Sequence, residues 1–257
     1  MKTKYLLMTK PNSIKKLLID GDLLCYRACC GPNSWTDPNF GINAVYDSLN
    51  TIFNNTGVHD YEMFFSGPNN FRKKVYPEYK ANRNKMERPP SLPVVKAHFC
   101  TEPWQVADEL EADDLLGLEQ DDTTCIVSID KDMLTIPGWH YNFVRDEFYL
   151  IKPEESIYKF YLQLLTGDPA DNIKGAKGIG GVKASKILYD VTDENEMVLK
   201  CLNYFSSYSE MKMNADCLWI QRTGRLTWEE GIDPSISKSE GESTTEDCSS
   251  IPPWDIP

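Results

Sequence analysis

The chain has 257 residues, 41% of them hydrophobic, enough to bury a sizeable core in one large domain or two small ones. Thirty-nine acidic residues against 27 basic ones give a net charge of −12, which excludes a protein that holds nucleic acid with its whole surface. No apolar run reaches the roughly 18 residues of a membrane span, residues 1–12 lack a basic stretch followed by an apolar one, and the eight cysteines show no CxxC spacing. A soluble intracellular protein without a zinc centre or disulfide framework is expected.

The first predicted element is Lys16-Leu17-Leu18-Ile19-Asp20, a short apolar run ending in an acid, as in a buried strand that presents a carboxylate at its C-terminal end. Residues 61–65, 123–129 and 139–143 have the same character. Helical patterns cover residues 42–54, 108–120, 156–165 and 181–190. The alternation predicts an α/β fold with a mostly parallel central sheet flanked by helices, whose sites gather at the carboxyl ends of the strands.

Charge is distributed unevenly along this frame. Between Arg72 and Arg88 seven basic residues stand against two acidic ones, and Lys174, Lys177, Lys183 and Lys186 form a second basic block without an acid. From residue 233 onward the composition turns to Ser, Thr, Glu, Asp and Pro, which predicts a disordered acidic tail. The acids collect at expected strand ends and helix starts: Asp20 and Asp22; Glu111, Asp113 and Asp114; Asp130 and Asp132; Asp168 and Asp171. Each cluster taken alone reads more readily as turn residues or a helix cap than as a site. Brought together without cations they would repel, so a convergent set is stable mainly around hard divalent metal, with Mg²⁺ fitting oxygen ligands best. An ideal helix places Glu111 and Asp114 on one face and Asp113 elsewhere, a difficulty for a set in which all three serve metals directly. Gly175-Ala176-Lys177-Gly178-Ile179-Gly180-Gly181-Val182-Lys183 is a glycine-rich turn leading into a helix, where exposed amides can meet a phosphate and Lys183 adds charge.

These segments, in this order, resemble the 5′ nuclease family that includes flap endonucleases, bacteriophage 5′ exonucleases and the N-terminal domain of bacterial DNA polymerase I. The resemblance is carried by Leu18-Ile19-Asp20-Gly21, Phe71-Arg72 with Tyr76-Pro77-Glu78-Tyr79-Lys80-Ala81-Asn82-Arg83, Glu111-Ala112-Asp113-Asp114, Ser128-Ile129-Asp130-Lys131-Asp132, and Gly167-Asp168 through Gly180. It implies a PIN-like catalytic core over residues 13–166, a helical arch within residues 69–104, a helix-hairpin-helix type DNA-binding region over 167–232, and a tail over 233–257. It further implies two Mg²⁺ ions, with Mn²⁺ able to substitute: Asp20, Glu111, Asp113 and Asp114 would serve the first, and Asp130, Asp132, Asp168 and Asp171 the second. Arg72, Lys80 and Arg83 would act at the scissile phosphate. Lys73, Lys74, Tyr79, Lys177, Gly178, Gly180 and Lys183 would contact DNA, with a K⁺ ion at the 175–183 loop. Apart from the resemblance, the aromatic residues Tyr76, Tyr79 and Trp104 read either as packing residues, the commoner role, or as platforms on which the bases of a single strand stack.

The implied activity is 5′→3′ exonuclease and flap endonuclease cleavage of DNA bearing a 5′ end, flap or nick, leaving a 5′ phosphate, in phage DNA replication or primer removal. An RNA-DNA hybrid is a further substrate to consider, and the location would be cytoplasmic, in the host if phage-encoded. One departure stands out: the family usually has an aspartate near Phe65-Ser66-Gly67, where this chain has no acid. Ser66, a water or the substrate phosphate would fill that place, and a more Mn²⁺-responsive activity is expected. Two other readings compete. Leu18-Ile19-Asp20-Gly21-Asp22 also fits phosphatases that form an aspartyl phosphate, although Leu24 stands where they place Thr. A flap or junction DNA-binding protein with crippled catalysis would explain the absent acid. In the tail, Pro252-Pro253-Trp254-Asp255-Ile256 after an acidic run reads as a docking peptide for a replication protein.

Overall fold

The computed structural model describes residues 10–236 of the chain. Of the tail expected to be disordered from residue 233, residues 233–236 are described and packed, with Asp233 N donating to Asn195 Oδ1 at 2.7 Å and Ile236 in an apolar cluster; the rest of the tail, its docking peptide and Cys248 lie outside the described residues. The other seven cysteines are free thiols. Among the described residues no helix is long and apolar enough to cross a membrane.

The apolar run at Lys16–Asp20 forms β1, and its last residue caps the helix that follows, α1 (Gly21–Cys29): Asp20 Oδ1 accepts from Leu23 N at 3.0 Å. Glycine is required at position 21, because a Cβ there would come within 2.5 Å of the Phe65 ring and 2.8 Å of Phe64 O. Helix α2 (Pro38–Thr56) starts on Asp37, with Pro38 in its first turn, and stops at Gly57, whose φ of +63° closes it. Strand β2 (Asp60–Ser66) follows, then two short helices, α3 (Arg72–Val75) and α4 (Leu92–Phe99), joined through a 3₁₀ turn at Ala81–Lys85. The segment expected as a helical arch is thus broken by prolines at 77, 89 and 90, which prevent one continuous helix. Strand β3 (Val106–Ala107), α5 (Ala112–Glu119), β4 (Thr124–Val127), β5 (Gly138–Asn142) and β6 (Glu147–Ile151) complete this half.

The sheet order is β3-β2-β1-β4-β5-β6, with every neighbouring pair parallel except β5 and β6. From β1 the chain moves outward through β2 to β3, then returns to place β4 on the other side of β1. The strand order therefore reverses between β1 and β4, which opens a crevice beyond their carboxyl ends. Alternation sets the two faces: Leu17 and Ile19 pack with Leu24, Val45, Leu49 and Val95 on one side, and Leu18 packs with Leu116, Ile126, Met133 and Ile136 on the other.

Beyond the sheet come α6 (Pro153–Thr166), a two-strand ribbon of β7 (Gly167–Asp168) and β8 (Ile173–Lys174), α7 (Gly181–Ile187), α8 (Glu194–Leu202) and α9 (Tyr208–Leu218). Their apolar sides share a cluster that includes Phe160, Leu164, Val198, Met211, Trp219 and Trp228, and that also takes in Tyr79.

A buried ion pair binds this region to the sheet. The Arg72 guanidinium, 2% exposed, donates to both oxygens of the fully buried Asp114 at 2.6 and 2.8 Å, and also to the carbonyls of Cys217 (2.9 Å) and Trp219 (2.6 Å). Asp114 accepts in addition from Glu111 N and Gln221 N, each at 3.0 Å. Burial would raise the Asp114 carboxyl, yet the Arg72 charge and these hydrogen bonds hold it below the usual carboxylate range. Removing one member strands the other charge in the interior.

Two stability measurements follow. Arg72→Met is expected to lower unfolding stability by about 3–5 kcal/mol in urea titrations; a loss below about 1 kcal/mol would mean that water reaches the pair. The second concerns His140 on β5, fully buried, with its Nε2 2.9 Å from Ile136 O and its ring stacked on Tyr149. Burial pulls its pKa down to about 4. The unfolded chain then takes up this proton first, so the contribution is whole above about pH 6.5 and is lost as pH falls toward 4. His140→Gln, which can still donate to Ile136 O, is expected to flatten the pH 7 to pH 4 stability slope relative to wild type by up to about 3 kcal/mol; parallel slopes would contradict this.

Candidate functional site

At the switch between β1 and β4, carboxylates from four segments face one another. Asp20, at the end of β1, accepts from Ser128 Oγ at 3.0 Å, the same hydroxyl accepts from Asp130 N at 3.1 Å, and Asp130 Oδ1 accepts from Asp132 N at 2.9 Å. This relay holds the turn after β4 against β1, and Gln163 of α6 extends it by donating to Asp132 Oδ1 at 2.8 Å. Ser128 bridges Asp20 and Asp130 in space, a contact that its place between Val127 and Ile129 conceals in the sequence. Its only signal there is its position at the end of an apolar run.

Helix α5 brings the next group. The predicted start at residue 108 is early: the helix begins at Ala112, and Glu111 is its N-cap, with Asp114 returning a hydrogen bond to Glu111 N. The cap resolves the geometric difficulty. Glu111 stands outside the helix and is free to aim separately, Asp114 turns inward to Arg72, and Asp113 is left toward Asp20 and Asp130. Burial, then the negative charges of Asp20 and Glu111, raise Asp113 well above the usual carboxylate range. Burial and the neighbouring charges of Asp22 and Asp130 push Asp20 up to about 7, while burial with Asp130 and Asp168 does the same to Asp132. These mutual shifts mark oxygen donors sharing a confined space without enough positive charge, an arrangement that fits a hard divalent cation.

The residues expected to form the first metal group do not all meet. Asp20, Glu111 and Asp113 face the crevice, whereas Asp114 is committed to Arg72. Asp130, Asp132 and Asp168 lie together on the other side, with Asp168 Oδ1 accepting from Ala170 N at 2.9 Å and lying 3.8 Å from Lys131 Nζ. Asp171 lies nearer to Glu111, across Tyr79. Among the described residues, no three His, Cys, Asp or Glu side chains are drawn closely enough to enclose one ion as they stand. Basic side chains are interspersed among them. Lys80 Nζ is 2.5 Å from Glu111 Oε1 and 3.5 Å from Asp171 Oδ2, and Arg83 is paired with Asp171 Oδ1. Burial would raise Glu111, but the charges of Lys80 and Arg72 outweigh it and bring its pKa below the ordinary value.

Several expected DNA contacts take other places. Tyr79, expected to contact DNA, is 3% exposed, and its ring belongs to the C-terminal apolar cluster. Its hydroxyl lies 2.7 Å from Glu111 Oε2 and 2.9 Å from Asp171 Oδ2. Arg72, expected at the scissile phosphate, is held in the interior by Asp114. Tyr76 packs against the same cluster as Tyr79, and Trp104 is half exposed. Lys73 is exposed, and Lys74 is exposed beside Glu109 at 2.5 Å. Ser66, at the acid-free end of β2, accepts from Ala112 N at 2.9 Å and gives its own N–H to Asp22 Oδ2 at 2.9 Å. Asp22 is therefore a neighbour of the site, ion-paired with Lys96 of α4.

On the far side of the ribbon the glycine loop stands open. Ala176 and Ile179 anchor it in the apolar cluster, while Lys177, Gly178, Gly180 and Lys183 are exposed. Gly178 has φ +72°, and a Cβ at 178, 180 or 181 would meet no atom within 4 Å. Packing does not demand glycine at 180 or 181, which leaves backbone accessible to an incoming group.

Known proteins resemble the chain in sequence and fold. The family model for the 5′-3′ exonuclease N-terminal resolvase-like domain matches residues 15–161. A 5′-3′ exonuclease of Buchnera aphidicola subsp. Schizaphis graminum is 30% identical over 201 residues, covering 64% of this chain and 66% of that protein. DNA polymerase I of Rhizobium leguminosarum is 31% identical over 172 residues, 57% of this chain but 16% of the polymerase. The match thus spans just under two thirds of the first relative and about a sixth of the second. Among solved structures, zinc-bound T5 5′-exonuclease has the same fold at a TM-score of 0.55 and 19% identity, over 79% of this chain and 85% of that one. A T5 protein co-crystallised with metal ions gives a TM-score of 0.56 at 17% identity, over 79% and 84%. With more than half its length matched by the family model, the chain belongs to the 5′-3′ exonuclease family.

Proposed function

We propose that the chain is a divalent-metal-dependent 5′→3′ exonuclease with structure-specific flap endonuclease activity on DNA, leaving a 5′ phosphate. The observation that carries this reading is the meeting of Asp20, Asp113, Asp130 and Asp132 at the β1/β4 switch point, where burial and neighbouring negative charge raise Asp20, Asp113 and Asp132 above the usual carboxylate range. The named activity of the relatives supports it. Asp20, Glu111 and Asp113 would hold one Mg²⁺ or Mn²⁺ ion, and Asp130, Asp132, Asp168 and Asp171 a second. When bound, such ions supply an activated water and neutralise charge at the phosphate.

The chain's own residues do the remaining work. Lys80 and Arg83 neutralise the scissile phosphate, with Asp114 and Arg72 holding the α5 cap that aims Glu111 and Asp113. The open loop at 175–183, acting as a helix-hairpin-helix type grip, offers backbone amides with Lys177 and Lys183 to the duplex phosphates, and Lys73 and Lys74 extend the basic track. DNA replication or primer removal in the cytoplasm, phage-encoded or not, is the setting this activity fits. A second reading, a flap-binding protein with weakened catalysis, rests on Ser66 standing where β2 offers no acid.

A gel assay with 5′- and 3′-labelled flap, nicked and blunt duplex DNA separates the two. Cleavage near the 5′ end or junction is expected with Mg²⁺ or Mn²⁺ and not with EDTA, reduced on the order of 100-fold or more in Asp171→Ala. Flap binding without cleavage under every metal condition would sink the enzyme reading and leave the binding protein.

A further inference from the structure

The basic residues assigned to the phosphate are already occupied. Residues 78–83 are fastened along residues 168–172 by main-chain and side-chain bonds. Lys80 N donates to Asp171 O at 2.9 Å, Asn82 Nδ2 to Pro169 O at 2.8 Å, Arg83 Nε to Ala170 O at 3.1 Å, and Asn172 Nδ2 to Glu78 O at 2.8 Å. At the centre of this seam the Lys80 ammonium bridges Glu111 and Asp171, and Arg83 pairs with Asp171. Lys80 itself sits at φ +57°, a left-handed conformation uncommon for a side-chain-bearing residue, and the turn brings Lys80 onto Glu111 and Asp171 and Arg83 onto Asp171. Tyr79 anchors the turn in the apolar cluster below, with its hydroxyl between those carboxylates.

We infer that residues 78–83 form a charge clasp: Lys80 and Arg83 are the internal counter-cations of Glu111 and Asp171, and they exchange these carboxylates for DNA phosphate only when divalent ions replace them. An ammonium at 2.5 Å from a carboxylate cannot hold a phosphate oxygen equally well. Divalent ions, one beside Glu111 and one beside Asp171, would neutralise those carboxylates and repel both basic groups, releasing them toward the anion they are to bind. The clasp therefore orders events, with ion entry preceding the engagement of phosphate by Lys80 and Arg83. Only the contacts centred on Tyr79 remain in place, so the released turn keeps its anchor.

The inference rests on the metal-dependent reading above, and one experiment distinguishes the two. Mn²⁺ binding is measured by titration calorimetry on the full chain without DNA, for wild type and for Lys80→Met/Arg83→Met, with Arg83→Met alone in case the double variant is unstable. Removing competing positive charge is expected to tighten Mn²⁺ binding about tenfold in the double variant and by a smaller factor in Arg83→Met. The same variants should cleave flap DNA more slowly, so that affinity for the ion and activity move in opposite directions. Hydrogen exchange at the Lys80 amide of the wild type should also accelerate when Mn²⁺ is added, as its bond to Asp171 O is given up. Equal Mn²⁺ affinity in wild type and variants, or unchanged Lys80 exchange at saturating Mn²⁺, would overturn the clasp. Absence of Mn²⁺ binding in all three proteins would overturn the metal-dependent reading itself.

Discussion

The Arg72–Asp114 pair is the constraint on which the site depends. One guanidinium spends its donors on a carboxylate of α5 and on two carbonyls at the end of α9, and that carboxylate in turn caps the backbone at Glu111 and at Gln221. Three segments far apart in sequence are thereby held in one register. A buried pair contributes little net stability when compared with a well-packed apolar pair, but it is unforgiving of misplacement, because any shift leaves a charge without a partner in the interior. Its value here is positional. By holding Asp114 inward, it presents Asp113 to the crevice and leaves Glu111 to turn independently as the helix cap.

The electrostatics of the crevice follow from that placement. Burial and nearby negative charge drive Asp20, Asp113 and Asp132, from three segments, toward the protonated state, while Glu111 and Asp114, beside Lys80 and Arg72, are driven the opposite way. The site is therefore divided between acids already compensated by the protein's own cations and acids that lack compensation. The division also accounts for the net charge of −12 in a chain of a DNA-processing family: the basic groups are concentrated at a few positions, and the surplus acids lie elsewhere or in the crevice.

Much of the frame was legible because strand periodicity and apolar runs are local signals. β1, β2, β4 and β5 were all readable as short apolar runs, and Asp20, Asp130 and Asp168 were identifiable from their places after or between them. What stayed hidden depended on distant contacts. α1 went unread because the residue that caps it, Asp20, is also the last residue of β1. β3 has two residues and β6 is an antiparallel addition whose partner supplies its register. α8 and α9 carry polar sequences whose burial is visible only against α6 and Trp228. Tyr79 and Arg72 lie in a basic stretch, and composition argued for DNA contact; their burial comes from partners 32 to 147 residues away.

Those long sequence separations also bear on when the protein becomes a working whole. The donors of Arg72 find their carbonyls at Cys217 and Trp219, 145 and 147 positions later. During synthesis the sheet and most of the carboxylates leave the ribosome well before α9, and for that interval Arg72 lacks two of its acceptors and Asp114 lacks the Gln221 amide. The crevice reaches its final geometry only as the last helix docks. A nascent chain on a translating ribosome would thus carry its acidic residues without the arrangement that gives them force, and competence would arrive late, in a single closing step of folding.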